Sequence, residues 1–220
     1  MKNYRSSTHL LDELQLVSYA ALGVLKRIAV GSIDAFNSVF VVDGEMRSRF
    51  YRDRGIHYTK QGQYGQAIAF LKSVADERPA DEEVVFHLGY SYLKTDRIME
   101  GIELLARSVK MQTASPRIRS TLGMAYIQAK EYQKAVSVLE EAIRQAPDNF
   151  NLHYRMGLAR DHLGEYDAAI ASFQEALRIR PHETKVYQSI GFVLDQQGKH
   201  DEAVVFFKKT SELKESLQEG

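Results

Sequence analysis

The chain is expected to fold as an all-α superhelical solenoid: five clear helical hairpins behind one degenerate N-terminal hairpin. Three observations carry this expectation. Gly55, Gly89, Gly123, Gly157 and Gly191 follow one another at a fixed interval of 34 residues, and a period of this length marks stacked-repeat architectures. Tiny and large residues recur in phase with the glycines, as two close-packed helices require. The composition, 44% hydrophobic and 26% charged with four prolines, suits a folded, helix-rich chain.

From the N-terminus, residues 1–9 are polar. Between Leu10 and about Val30, the residues Leu10, Leu11, Leu14, Val17, Ala21, Val24, Leu25 and Ile28 recur at helical spacing. Gly31-Ser32 interrupts the pattern, and a second helix is expected from about Ile33 to Val42. Gly23 and Ala35 stand 12 apart, like Gly55 and Ala67, but the step from Gly23 to Gly55 is 32 rather than 34. Residues 1–47 therefore read as an N-terminal helical hairpin, a degenerate repeat at 10–46 and a candidate assembly arm.

The regular array occupies residues 48–217 in blocks 48–81, 82–115, 116–149, 150–183 and 184–217, leaving a tail at 218–220. Block position 8 is the glycine. Position 20 is Ala67, Gly101, Ala135, Ala169 and Ala203, and position 24 is Leu71, Leu105, Leu139, Phe173 and Phe207. Small residues at 8 and 20 let two helices approach, while the large residue at 24 fills the wedge. Tyr58, Tyr92 and Tyr126 assist at position 11, where the last two blocks depart to Arg160 and Leu194. Gly62, Gly164 and Gly198 near position 15 stop the first helix, because glycine enters positive φ without steric penalty. Pro79, Pro147 and Pro181 at position 32 stop the second. One hairpin cannot bury its own apolar face, so the blocks must stack.

The segments HLGYSYLK, TLGMAYIQ, KEYQKAVSVLEEAI and GEYDAAIASFQEALRIRP resemble the tetratricopeptide repeat (TPR), and the resemblance runs through residues 48–217. The stretch YRDRGI, with Arg54 where repeats carry an apolar residue, and DAFNSVF in the N-terminal hairpin narrow it to magnetosome-associated members of that family. This narrower resemblance implies a scaffold peripheral to the cytoplasmic face of the magnetosome membrane. It also implies homo-oligomers that recruit other magnetosome proteins and support magnetosome formation or activation. The alternative is a cytoplasmic TPR adaptor that binds a peptide from another protein.

Charge and motifs narrow the chemistry. Lys plus Arg equal Asp plus Glu at 29 each, so no nucleic-acid partner is expected. Without cysteine, disulfides, thiolate nucleophiles and Cys-based metal centres are excluded. Leu14 to Leu25 is apolar for only 12 residues before Lys26-Arg27, too short to span a bilayer. Lys2 and Arg5 imitate the start of a signal peptide, but Asp12 and Glu13 interrupt it and export is not expected. No polybasic run is present, so membrane contact is expected to be indirect, through protein partners. The seven histidines, His9, His57, His87, His153, His162, His182 and His200, include no pair at helical-ligand spacing. No HExxH, phosphate loop or GxSxG elbow occurs. No metal, cofactor or enzymatic activity is expected. The runs Asp81-Glu82-Glu83 and Glu140-Glu141 read as helix-terminal or exposed charge.

The candidate functional surface is the concave wall. The TPR resemblance implies that positions 2, 5, 9, 12 and 13 of each first helix face inward. The peptide-binding set is then Arg49, Arg52, Ile56 and Lys60, followed by Phe86, Tyr90 and Lys94, then Arg117 and Met124, Tyr154 and Leu158, and Lys185 and Phe192. Apolar centres with a basic surplus toward the early blocks suit an amphipathic helix or an extended acidic peptide. The plainer alternative is that position-9 side chains only pack against neighbouring first helices. The carboxylate clamp of chaperone-binding repeats is not expected, since Ile56 and His87 stand where it needs asparagines. Self-assembly is expected through Leu14, Val17, Leu25 and Ile28, docking into a neighbour's groove as a heterologous contact.

Overall fold

A computed structural model describes residues 13–22, 44–111 and 114–218. Residues 13–22 are helical. The array follows as α1 (Gly44–Lys60), α2 (Tyr64–Glu77), α3 (Glu82–Lys94), α4 (Ile98–Lys110), α5 (Pro116–Gln128), α6 (Tyr132–Gln145), α7 (Phe150–His162), α8 (Tyr166–Ile179), α9 (Thr184–Gln196) and α10 (His200–Gln218). Among the described residues there is no strand. Each helix packs on the next, and the first helices of neighbouring blocks also touch from α1 to α7.

α3, α5, α7 and α9 all start at block position 1, and every second helix starts at position 17. Local chemistry accounts for these limits. The Asp81 carboxylate accepts from the Val84 amide at 3.2 Å, and the Ser115 hydroxyl from that of Ile118 at 3.4 Å. Asn149 does the same for Asn151 at 3.0 Å. Each satisfies one of the amides a helix start leaves unpaired. Pro116 fills the first helical position of α5, where its missing N–H is no loss.

The first helices end by one device in all five blocks. Position 15 has positive φ, at Gly62, Gly164 and Gly198 but also at Asp96 and Lys130. The next amide then reaches back to the position-11 carbonyl: Gln63 to Tyr58, Arg97 to Tyr92, Glu131 to Tyr126, Glu165 to Arg160 and Lys199 to Leu194, at 2.8–2.9 Å. This is the six-to-one closure of a Schellman motif.

The two ends differ from the repeat frame. α1 begins at Gly44, four residues ahead of the expected block start at Ser48. Near this end Phe50 meets Tyr19 of the 13–22 helix, ring centroids 5.8 Å apart. α10 runs 19 residues to Gln218, because Glu215 stands where three other blocks have proline. The expected second helix at 33–42, the interruption at Gly31-Ser32, and Leu25 and Ile28 lie outside the described residues.

The core runs along the stack as three clusters. Ala67, Leu71, Leu105, Ala135, Leu139, Ala169 and Phe173 are wholly buried, so positions 20 and 24 form its axis. Arg160, in the place of a tyrosine, extends its guanidinium to the Ser172 hydroxyl at 3.2 Å and to Glu140 of α6 at 3.7 Å. Arg54 lies against Tyr58, donating to its hydroxyl at 3.0 Å.

Candidate peptide-binding groove

The inner wall is made by α1, α3, α5, α7 and α9. Along it runs the position-9 row: Ile56, Tyr90, Met124 and Leu158 are half-buried, and Phe192 is exposed. Ile56, Met124 and Leu158 rest partly against the core and stay partly exposed. Tyr90 stacks on Phe86, centroids 6.0 Å and planes 15° apart, and meets Tyr64 edge-on at 5.9 Å. Tyr154 stacks on Phe150 at 6.0 Å. Phe192 rests edge-on against Phe207 at 5.3 Å.

The basic residues divide into two groups. Arg49 pairs with Glu45 at 3.4 Å and Arg52 with Asp81 at 2.9 Å. Arg117 pairs with Glu83 at 2.7 Å and lies 3.5 Å over the Phe86 ring. Lys185 pairs with Glu183 at 3.7 Å and sits 5.1 Å over Tyr154. Lys60 and Lys94 are exposed, and Lys94 has the Tyr90 ring at 5.5 Å. Neither lysine has a carboxylate partner among the described residues. The early basic surplus is thus paired within α1 at Arg49 and across to the start of α3 at Arg52, and is available at Lys60 and Lys94.

Charge inside the wall is modulated by burial. His87 is buried, and desolvation with the nearby Arg117 charge pulls its imidazole below the usual histidine range. Glu83 lies 3.3 Å from its Nε2, but neither ring nitrogen is hydrogen-bonded, so desolvation dominates and the ring is neutral near pH 7. Burial pushes the Asp161 carboxyl up, and Gln196 donates to it at 3.5 Å.

Arg155 was outside the position set drawn from the sequence. It stands at position 6 of its block, and its guanidinium crosses from α7 to α5. There it donates to the Ser120 hydroxyl and approaches the Met124 sulfur at 3.7 Å. The signal that could have found it is a lone arginine one residue past an inward position, facing a serine at position 5 of the preceding block.

On the 13–22 helix, Leu14 and Val17 are 58% and 61% exposed and Leu22 is 65% exposed, while Ala20 is buried toward the array. An apolar strip is therefore uncovered at the start of the stack. No helix among the described residues is long and apolar enough to cross a membrane.

Comparison with known proteins agrees with this architecture. Tetratricopeptide-repeat profiles match residues 58–125, 120–184 and 184–216. Magnetosome protein MamA of Magnetospirillum gryphiswaldense is 40% identical over 82 residues, 37% of this chain and 38% of that protein. MamA of Paramagnetospirillum magneticum is 40% identical over 80 residues, 36% of this chain and 37% of its own. The aligned stretch thus spans little more than a third of these curated relatives. Solved structures align more broadly. A structure of MamA from AMB-1 is 42% identical with a TM-score of 0.68, over 76% of this chain and 98% of that one. One from MSR-1 is 41% identical with a TM-score of 0.67, over 78% and 98%.

Proposed function

The chain belongs to the tetratricopeptide-repeat family, with the MamA proteins among its relatives, and on that premise we propose that it is a magnetosome scaffold. In this reading it associates peripherally with the magnetosome membrane, assembles with copies of itself and recruits other magnetosome proteins through its groove. Its contribution to magnetosome formation is organisational rather than catalytic.

The observation that carries the reading is the pairing of two uncovered apolar features. One is the strip Leu14, Val17 and Leu22; the other is the half-open row Ile56, Tyr90, Met124 and Leu158. An amphipathic helix laid in a groove through spaced apolar anchors is a recurring recognition mode. When the helix comes from one copy and the groove from another, the contact is heterologous and does not close unless the geometry makes a ring. The remaining length of groove is then available to other proteins.

Light scattering after size-exclusion chromatography tests the assembly step. The full chain should elute as a large species, and Leu14→Asp with Val17→Asp should reduce it toward monomer without loss of helical content. A doubly substituted chain as large as the parent would refute assembly through this strip. Co-purification from the native organism, with and without intact magnetosome membranes, tests the location. Recovery of the same partners from membrane-free extract would favour the cytoplasmic adaptor instead.

A further inference from the structure

Among the described residues, Arg155 is a cation without an anion. Its guanidinium is largely withdrawn from water, and that burial pulls its pKa down from the usual arginine value, although it remains charged at neutral pH. Its polar contacts are one hydroxyl, Ser120, and one thioether, Met124. The carboxylates of the same wall are engaged elsewhere: Glu83 with Arg117, Asp81 with Arg52, and Asp161 with Gln196. Two successive first helices, α5 and α7, thus meet at one guanidinium, and the field of Tyr90 on α3 reaches it. A charge held in this way lowers stability relative to an apolar side chain of similar size. Its hydrogen-bonding capacity is only partly used, since five N–H donors face two acceptors.

The geometry points to a carboxylate-recognition site formed by Arg155, Ser120, Met124 and Tyr90, whose occupant is an acidic side chain of a polypeptide lying along the groove. This deepens the groove reading and rests on it, by naming the partner's chemistry. The guanidinium fork matches a carboxylate in a two-bond arrangement, and desolvation strengthens that bond relative to one at the surface. Lys60 and Lys94, the unpaired lysines, add positive charge on α1 and α3. The half-open Met124, Tyr90 and Leu158 accept apolar side chains between the acidic ones. A polypeptide with acidic and apolar residues interleaved fits this lining. The site is not the two-carboxylate clamp of chaperone-binding repeats: Ile56 replaces one asparagine, and His87 at the second position is buried.

Fluorescence anisotropy with labelled hexaglutamate, using labelled hexaglutamine as its neutral counterpart, tests the assignment in the full chain. Hexaglutamate should bind saturably and hexaglutamine should not. Arg155→Gln should weaken hexaglutamate at least tenfold, while Arg178→Gln, an exposed arginine paired with Asp148 and Glu175, should leave it unchanged. Arg155→Met should lose binding yet melt no lower than the parent, which separates recognition from folding. Equal binding by Arg155→Gln and the parent overturns the site, as does an equal loss in Arg178→Gln. If Tyr90→Ala and Leu158→Ala lose the peptide while Arg155→Gln keeps it, the groove reading stands and the carboxylate site falls. If none of the three loses it, the groove itself is the wrong surface.

Discussion

Gly123 lies directly beneath Leu139: a Cβ on Gly123 would come within 2.7 Å of the leucine's Cγ and Cδ2. Every block repeats the relationship, with Gly55 under Leu71, Gly89 under Leu105, Gly157 under Phe173 and Gly191 under Phe207. Helix preference alone would favour alanine at these positions by about 1 kcal/mol. Overpacking a filled core opposes it by about 1–3 kcal/mol, and Leu139 is wholly buried with little room to yield. Gly123→Ala should therefore destabilise, by up to about 2 kcal/mol net, lowering the melting midpoint by up to about 8 °C for a chain of this size. Gly157→Ala should cost more, since the Phe173 ring is stiffer than a leucine. In a Leu139→Ala background, Gly123→Ala should become neutral or stabilising, a coupling that a double-mutant cycle reads directly. Additive costs would show that the glycine is not retained for this contact.

The first-helix stops make a prediction of opposite sign. Lys130 has φ of 60° at the position where three other blocks have glycine. For a residue with a Cβ that conformation costs about 1–2 kcal/mol. Part of the gain on changing to glycine is offset by the greater freedom of the unfolded chain. Lys130→Gly should stabilise by about 0.5–1 kcal/mol in urea titration. Asp96→Gly should gain less, since aspartate tolerates the left-handed region better than lysine. A loss of stability in Lys130→Gly would mean that the lysine side chain contributes more than its backbone strain costs.

Position 21 reports where the stack stops. Val136 is 7% exposed because the following block covers it, whereas Val204 in the last block is 62% exposed. The two valines are chemically identical, so their substitutions isolate the contribution of stacking. Val136→Ala should cost about 2 kcal/mol from lost burial and the space left behind. Val204→Ala should stay within about 0.5 kcal/mol. Thermal melts of dilute protein decide, and equal costs would mean that another surface covers Val204 in solution.

The fold was legible because its main constraint is local and periodic. Glycine, alanine and a large apolar residue at positions 8, 20 and 24 fix which faces of two helices meet, so one interval sets the phase of ten helices. The stops were half legible. Gly62, Gly164 and Gly198 announce positive φ, but Asp96 and Lys130 adopt it because the surrounding blocks impose the turn. The groove was legible as a surface and not as a set of charges. Nothing in the order of residues says that Arg52 is spent on Asp81, 29 positions away, or that Arg117 and Glu83 pair across adjacent blocks. Arg155 escaped for the same reason: its isolation is a property of three helices together.

The last prediction concerns pH. His87 is buried on α3, faced by Glu83 from its own helix, Arg117 from α5 and Lys60 from α1. Desolvation is the largest influence, and it lowers the folded-state pKa below the unfolded value of about 6.5. Between those two values the unfolded chain binds a proton that the folded chain refuses. Unfolding free energy therefore rises with pH across this window. The stabilising contribution is present above about pH 6.5 and is lost as pH falls from there toward the folded-state value. His87→Gln removes this proton uptake while keeping a polar side chain of similar reach. Comparing urea midpoints at several pH values between 7.5 and 5, the parent should lose more stability on acidification than the variant. The remaining histidines contribute to both chains and cancel in the comparison. Parallel acid profiles would show that His87 titrates as it does in the unfolded chain, and that the Glu83 carboxylate offsets its burial after all.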